Sequence, residues 1–195
     1  MPQATEDKLN MLWQKVRATF TDQEIAMLTQ RLIQIPSHSR IPEKERKVVD
    51  FIAQYLDDQG IAYELQPVED DRCNIIARYP GKGTGKKLVL NGHLDTVPPY
   101  DMDFDPFAAE LKDGVIYGRG AVDMKGPVAA MLMTLIALKR ADVGLKGDLV
   151  FTGVLGEEGA SEGTERLIRA GLKADGAIVG EPSNFEYAIG HRGLE

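Results

Sequence analysis

His93 and Asp95 stand two residues apart at the end of a short apolar run, in LVLNGHLDTVPP. In an extended chain, residues two apart leave on the same side. A carboxylate is thereby set beside an imidazole, where it can take one ring N–H and leave the other nitrogen for a metal ion or a proton. Asp123 lies in GRGAVDMKG just before a strongly apolar stretch, Glu157 and Glu158 follow the run DLVFTGVL, and Glu181 follows GAIVG. Each has an ordinary reading alone: a hydrogen-bonded surface pair, a helix cap, a solvated turn. Shared position argues against those readings. Three apolar runs end in a potential ligand, and open α/β sheets gather ligands outside the carboxyl ends of their strands. Convergence of His93, Asp123, Glu157, Glu158 and Glu181 predicts a metal site.

One imidazole with several carboxylates is a hard to borderline ligand set, suited to Zn²⁺, Co²⁺ or Mn²⁺. The carboxylates outnumber what one tetrahedral ion needs. Two ions roughly 3.5–4 Å apart, sharing a bridging carboxylate, would use them better, and one carboxylate left unligated could take the proton of a water attacking a polarised carbonyl. The other histidines read differently: His38, within PSHS, as a locally bonded loop residue, and His191 as a strand-end residue.

The elements that must position these groups follow from periodicity. Leu9, Leu12, Trp13, Val16 and Phe20 predict an amphipathic helix over 6–20 with one buried stripe. Thr21 with Glu24 is a capping-box pattern, opening a second helix that Pro36 stops. A third helix is expected over 44–59, strands over 62–68 and 74–79, and a tight hairpin about Asp113-Gly114. Beyond residue 124 the sequence predicts a helix that is apolar almost all round, then a strand over 148–155, a short helix over 163–170 and a buried strand over 176–180. The glycine- and lysine-rich stretch 81–87 is not a phosphate loop, because Pro80 stands where that motif needs glycine and Lys86 is followed by Lys87.

With 195 residues, 43% hydrophobic and 27% charged, the chain suits one domain with a proper core. Its net charge of −7 argues against nucleic acid or an anionic membrane as main partner. The apolar stretch 128–138 is too short to span a bilayer. The single cysteine, Cys73, allows no internal disulfide, and the amphipathic first thirty residues lack a signal-peptide core, so the cytoplasm is the expected compartment.

NGHLDTVPP, GRGAVDMKG, GEEGASEG and GEPSN, in that order, closely resemble the motifs of the M20 metallopeptidases and amidohydrolases, a group that includes acetylornithine deacetylase, succinyl-diaminopimelate desuccinylase, aminoacylase and glutamate carboxypeptidase. The resemblance covers residues 28–195. It implies a three-layer α/β catalytic domain with a central mixed, mostly parallel sheet flanked by helices, residues 1–20 being an extra N-terminal helix. It further implies that His93 and Glu181 hold one ion, Glu158 the other, and that Asp123 bridges both. Asp95 would orient His93, Glu157 would be the general acid/base, and a cis peptide would join Asp123 to Met124. In the family, the segment matching residues 188–195 leads into a lid or dimerisation domain, after which the chain returns to supply a last metal-binding histidine. His191 matches the lid entrance rather than that ligand. The chain is therefore expected to be the N-terminal part of such a catalytic domain, with one sheet flank exposed. The implied function is hydrolysis of an amide bond in an N-acyl amino acid or small peptide, the parent enzyme being a homodimer. The alternative is a metal-binding fragment without catalytic activity.

Overall fold

Reciprocal capping starts the first well-packed helix: the Thr21 hydroxyl accepts the Glu24 N–H at 3.1 Å, and the Glu24 carboxylate accepts the Thr21 N–H at 2.9 Å. This is helix α2 (Asp22–Ile33), preceded by α1 (Gln3–Arg17) and followed by α3 (Arg46–Asp58), which stops before Gly60 at φ 62°. The computed structural model describes residues 3–183 and residue 186. Strands β1 (Tyr63–Glu69), β2 (Arg72–Tyr79) and β3 (Leu88–His93) come next, then a hairpin of β4 (Glu110–Lys112) and β5 (Val115–Tyr117). An irregular turn, Ala121–Lys125, leads into α4 (Gly126–Arg140), and β6 (Leu149–Val154), α5 (Glu162–Arg169) and β7 (Gly176–Val179) complete the order.

The main sheet has five strands in the order β1-β2-β6-β3-β7. It is mixed, with the pairings divided evenly: β1/β2 and β2/β6 antiparallel, β6/β3 and β3/β7 parallel. Alternation along β2 shows how three layers arise. Ile75 and Ala77 join Leu90 and Phe151 against α2, α3 and α4, whereas Ile76 turns the other way to meet Val89, Val150 and Leu167 of α5. Helix α4 is the centrepiece, with Val128, Leu132, Leu135 and Ile136 fully buried. Residues 121–140 are long and apolar enough in composition to cross a membrane, but over half of that window is buried in the fold, as a core helix requires.

Three expectations change. Helix α1 ends at Arg17 rather than residue 20, and its apolar stripe is not buried: Leu9 is 49% and Trp13 55% exposed. The helix leans on α4 without closing on it, leaving an apolar groove of about 470 Å³ between Leu9, Trp13 and Val16 on one side and Met133 and Ala137 on the other. Strand β7, read as buried, is exposed at all four residues, because it lies at the sheet edge and no helix among the described residues covers it. An apolar groove of about 640 Å³ runs beside it, between Pro127, Met131 and Leu138 of α4 and Leu88 and Ile178 of the sheet; this is the exposed flank. The 81–87 stretch is a loop tied to the backbone of 145–147, with Lys82 N–H on Leu145 O and Gly85 N–H on Lys146 O, both at 3.0 Å.

Candidate metal centre

Because β3, β6 and β7 run parallel, their carboxyl ends share one edge of the sheet. His93 is the last residue of β3, paired in register with Val154 at the end of β6. Past Val154 the chain turns at Gly156, whose φ of 73° suits glycine, and delivers Glu157 and Glu158; Glu181 follows β7. Asp123 arrives from the side. Gly120 at φ 81° opens the turn, Asp123 itself is extended at φ −118° and ψ 98°, and its peptide bond to Met124 is cis. The aspartate does not cap α4, since that helix has Lys125 at its N-cap and no side-chain cap bond. Nor is it buried, its side chain being half exposed.

The imidazole of His93 is the hub. Its Nε2 lies 2.8 Å from Asp123 Oδ1, 3.6 Å from Glu181 Oε1 and 3.8 Å from Glu157 Oε2. One ligand atom each from His93, Asp123 and Glu158 falls within 4.8 Å of the others, and the same is true of His93, Glu157 and Glu181. On the far side, His93 Nδ1 meets the Asp95 carbonyl oxygen at 3.0 Å and Asp95 Oδ1 at 3.5 Å. Asp95 does a second thing, accepting the N–H of Glu157 at 3.1 Å and of Glu158 at 2.9 Å. Asp95 thus orients the imidazole chiefly through its backbone carbonyl and anchors the acidic loop through its buried carboxylate.

The charges are arranged for a cation. Burial alone would lower the His93 pKa, but Asp123 and Asp95 overcome it and raise it to about 11. Burial raises the Glu158 and Glu181 carboxyls above their ordinary value, and Asp123 adds to the rise in both while the His93 charge opposes it. Asp95 goes the other way: burial would raise it, yet the bonds from His93 and the Glu158 and Glu157 N–H groups hold it low. Donors each 2.0–2.1 Å from a tetrahedral ion stand roughly 3.3–3.4 Å apart. The separations of 2.8 Å to Asp123 and 3.6 Å to Glu181 from His93 Nε2 bracket that spacing, so the donor set fits.

Lys125 escaped the sequence reading. It is buried, its Nζ donates to Ile35 O at 2.6 Å, and burial, against the pull of Asp95, lowers its pKa to about 7. The ammonium ties the loop after α2 to the turn that carries Asp123. A signal existed: at the mouth of an all-apolar helix, a lysine flanked by Met124 and Gly126 has little route to solvent.

His38 is locally bonded, its Nδ1 accepting the Arg40 N–H at 3.3 Å, but it is buried and stacks on Phe107 with ring centroids 6.0 Å apart. Burial first, then the charges of Arg40 and Lys125, hold its pKa below 6.5. The unfolded chain therefore binds the proton first, so His38 costs stability as pH falls below 6.5 and down through the lowered folded value. In chelator, His38→Gln is expected to lose less stability than the wild type between about pH 7.5 and 5.5, read from urea midpoints. Equal losses would clear His38 of any part in acid sensitivity. His191 and Asn184 lie outside the described residues.

A sequence profile of peptidase family M20/M25/M40 matches residues 89–192. Succinyl-diaminopimelate desuccinylase of Methylocella silvestris is 39% identical over 161 residues, covering 74% of this chain and 41% of its own. N-formyl-4-amino-5-aminomethyl-2-methylpyrimidine deformylase of Halalkalibacterium halodurans is 32% identical over 169 residues, 84% of this chain and 40% of its own. The chain spans about two fifths of the length of these curated relatives. Among solved structures, aminopeptidase PepT from Bacillus cereus aligns with a TM-score of 0.68 at 21% identity, over 83% of this chain and 43% of that one. At such identity the likeness speaks for the fold, a mixed sheet between helical layers.

Proposed function

The chain belongs to peptidase family M20/M25/M40, and from that premise we propose that its protein is a dinuclear metal hydrolase that cleaves the amide bond of an N-acyl amino acid or small peptide. The observation that carries this reading is the meeting of His93 with Asp123, Glu157, Glu158 and Glu181 at the carboxyl edge of three parallel strands. The names desuccinylase, deformylase and aminopeptidase among the similar proteins support an amide as the bond. His93 and Glu181 would hold one ion, Glu158 the other, and Asp123 both; zinc suits the donors best, cobalt or manganese next. When bound, the ions supply Lewis acidity, polarising the scissile carbonyl and making the attacking water more acidic.

The chain's own part is positioning and proton transfer. Asp95 holds the imidazole through Nδ1, so Nε2 is the nitrogen offered to the centre. Glu157 is the proton carrier. Its carboxylate is half exposed and makes no hydrogen bond among the described residues, so it is free to take a proton from water and pass it to the leaving nitrogen. The same reading gives a cytoplasmic enzyme, homodimeric in its parent form, whose partner is a small-molecule substrate.

Equilibrium dialysis tests it. The 195-residue chain is expected to keep at least one zinc ion, held by His93, Asp123 and Glu181, and Asp123→Ala to weaken zinc retention by roughly 100-fold or more. No zinc on the wild type would sink the reading. Zinc without turnover of N-acyl amino acids would leave the second reading, metal binding without catalysis.

A further inference from the structure

Three consecutive side chains leave the turn before α4 in three directions. Asp123 faces the metal centre, half exposed, while Met124 and Lys125 are buried at 0% and 1% exposure. The turn is closed by its own backbone, Lys125 N–H donating to Gly120 O at 2.8 Å and Gly126 N–H to Ala121 O. Asp123 and Met124 lie inside that closure with non-helical dihedrals, so regular helix geometry does not decide where the aspartate points. Its neighbours must.

Met124 reaches under the sheet. Its Sδ accepts the His93 N–H at 3.2 Å, and a Cβ placed on Gly92 or on Gly180 would lie 3.2 or 2.9 Å from its methyl carbon. Those glycines directly precede His93 and Glu181, so one side chain packs against both strand ends that deliver these ligands. Lys125 reaches the other way. Its stem passes Gly120, where an added Cβ would lie 3.3 Å from Lys125 Cδ and 2.7 Å from Thr96 Cγ2. Its Nζ makes one hydrogen bond among the described residues, to Ile35 O at 2.6 Å; Asp95 attracts the ammonium without forming an ion pair with it. Burying an ammonium against a single neutral carbonyl is unfavourable, and an apolar chain of similar length would fill the space at less cost. The stability given up points to a task other than packing.

We propose that Met124 and Lys125 are positioning residues that hold Asp123 at the metal centre, Met124 by seating the turn under the strands that deliver His93 and Glu181, and Lys125 by gripping the carbonyl of Ile35 after α2. The proposal rests on the metal-binding half of the hydrolase reading and not on turnover. Its consequence has a sign that packing alone does not produce. Replacing Lys125 with methionine removes a positive charge near a cation site, which by charge alone leaves zinc affinity unchanged or raises it. Lost positioning lowers it.

Lys125→Met and Met124→Leu make the test, the second being a volume-conserving swap that cores tolerate. Circular dichroism and urea midpoints of the metal-free proteins establish folding. Zinc affinity is then read by competition with a chromophoric chelator, and the visible absorption of the cobalt-loaded chain reports ligand number and geometry. Each folded variant is expected to bind zinc roughly 10–100-fold more weakly than the wild type, with altered cobalt bands, as when a group that orients a metal ligand is removed. That result in a chain that hydrolyses nothing would uphold the positioning and count against the hydrolase reading alone. Wild-type zinc affinity and cobalt bands in either folded variant overturn the positioning, whatever the urea midpoint does, and with turnover intact they leave the hydrolase reading standing. Should Lys125→Met not fold, Met124→Leu decides by itself. No zinc on the wild type overturns both.

Discussion

Substituting Glu157 with glutamine is expected to lower turnover of an N-acyl amino acid by roughly 10²–10⁴-fold while zinc content stays at the wild-type value. The amide matches the carboxylate in size and can still hydrogen-bond, so the loop geometry set by Asp95 on the Glu157 and Glu158 N–H groups is preserved. What disappears is the ability to take a proton near neutral pH. The substitution matters because proximity alone does not separate a base from a ligand. Glu157 Oε2 lies 3.8 Å from His93 Nε2, nearly the same as the 3.6 Å of Glu181 Oε1, and both glutamates share a cluster with His93. Loss of about one zinc ion per chain together with activity would make Glu157 a ligand. Retained turnover would remove it from the chemistry altogether. Isothermal titration with zinc beside steady-state kinetics on one preparation distinguishes the three.

That ambiguity marks where the sequence stops being readable. Runs such as Leu88 to Leu90 and residues 149–154 announce parallel strands because both faces are largely apolar, and His93 and the Glu157-Glu158 pair stand at or just past the carboxyl end of those strands. The placement of His93, Glu157, Glu158 and Glu181 on one edge follows from that rule and from the strands being parallel. Periodicity says which face of an element is apolar but not whether anything lies against it. The stripe of α1 and the run of β7 were therefore legible as elements and illegible as exposed ones. Lys125 was hidden by its type, since lysine is read as solvated unless the element around it leaves no exit. Arg72 and Glu45 were hidden by distance along the chain, because nothing local links residues 27 apart.

Arg72→Met is expected to cost about 3–5 kcal/mol of folding stability, the largest single loss expected among the polar side chains. Arg72 Nε and a terminal nitrogen grip the two Glu45 oxygens at 2.9 and 2.8 Å, with both side chains under a tenth exposed. Its other terminal nitrogen meets Glu69 and Glu162, each at 2.9 Å. Burial works against the charge, yet the Glu45 and Glu162 carboxylates outweigh it and raise the guanidinium's pKa. Removing the cation would leave Glu45 a buried, unpaired charge at the start of α3, which is where the penalty arises. Replacing both partners, as Arg72→Met with Glu45→Leu, should recover most of the loss, because a pair of apolar groups has no charge to desolvate. The effect should also reach the metal centre. Glu162 opens α5 directly after the acidic loop and packs against Gly156, where an added Cβ would lie 2.3 Å from its carboxylate carbon. With Glu162 released, the turn that carries Glu157 and Glu158 loses one of its supports, and Asp95 and the Val97 N–H that Glu158 accepts remain. Urea denaturation of the zinc-free single and double variants, with zinc affinity measured on each, separates the two effects. The double variant should regain stability but keep weakened zinc binding; regaining both would mean that Arg72 supports the fold alone and leaves the acidic loop to Asp95.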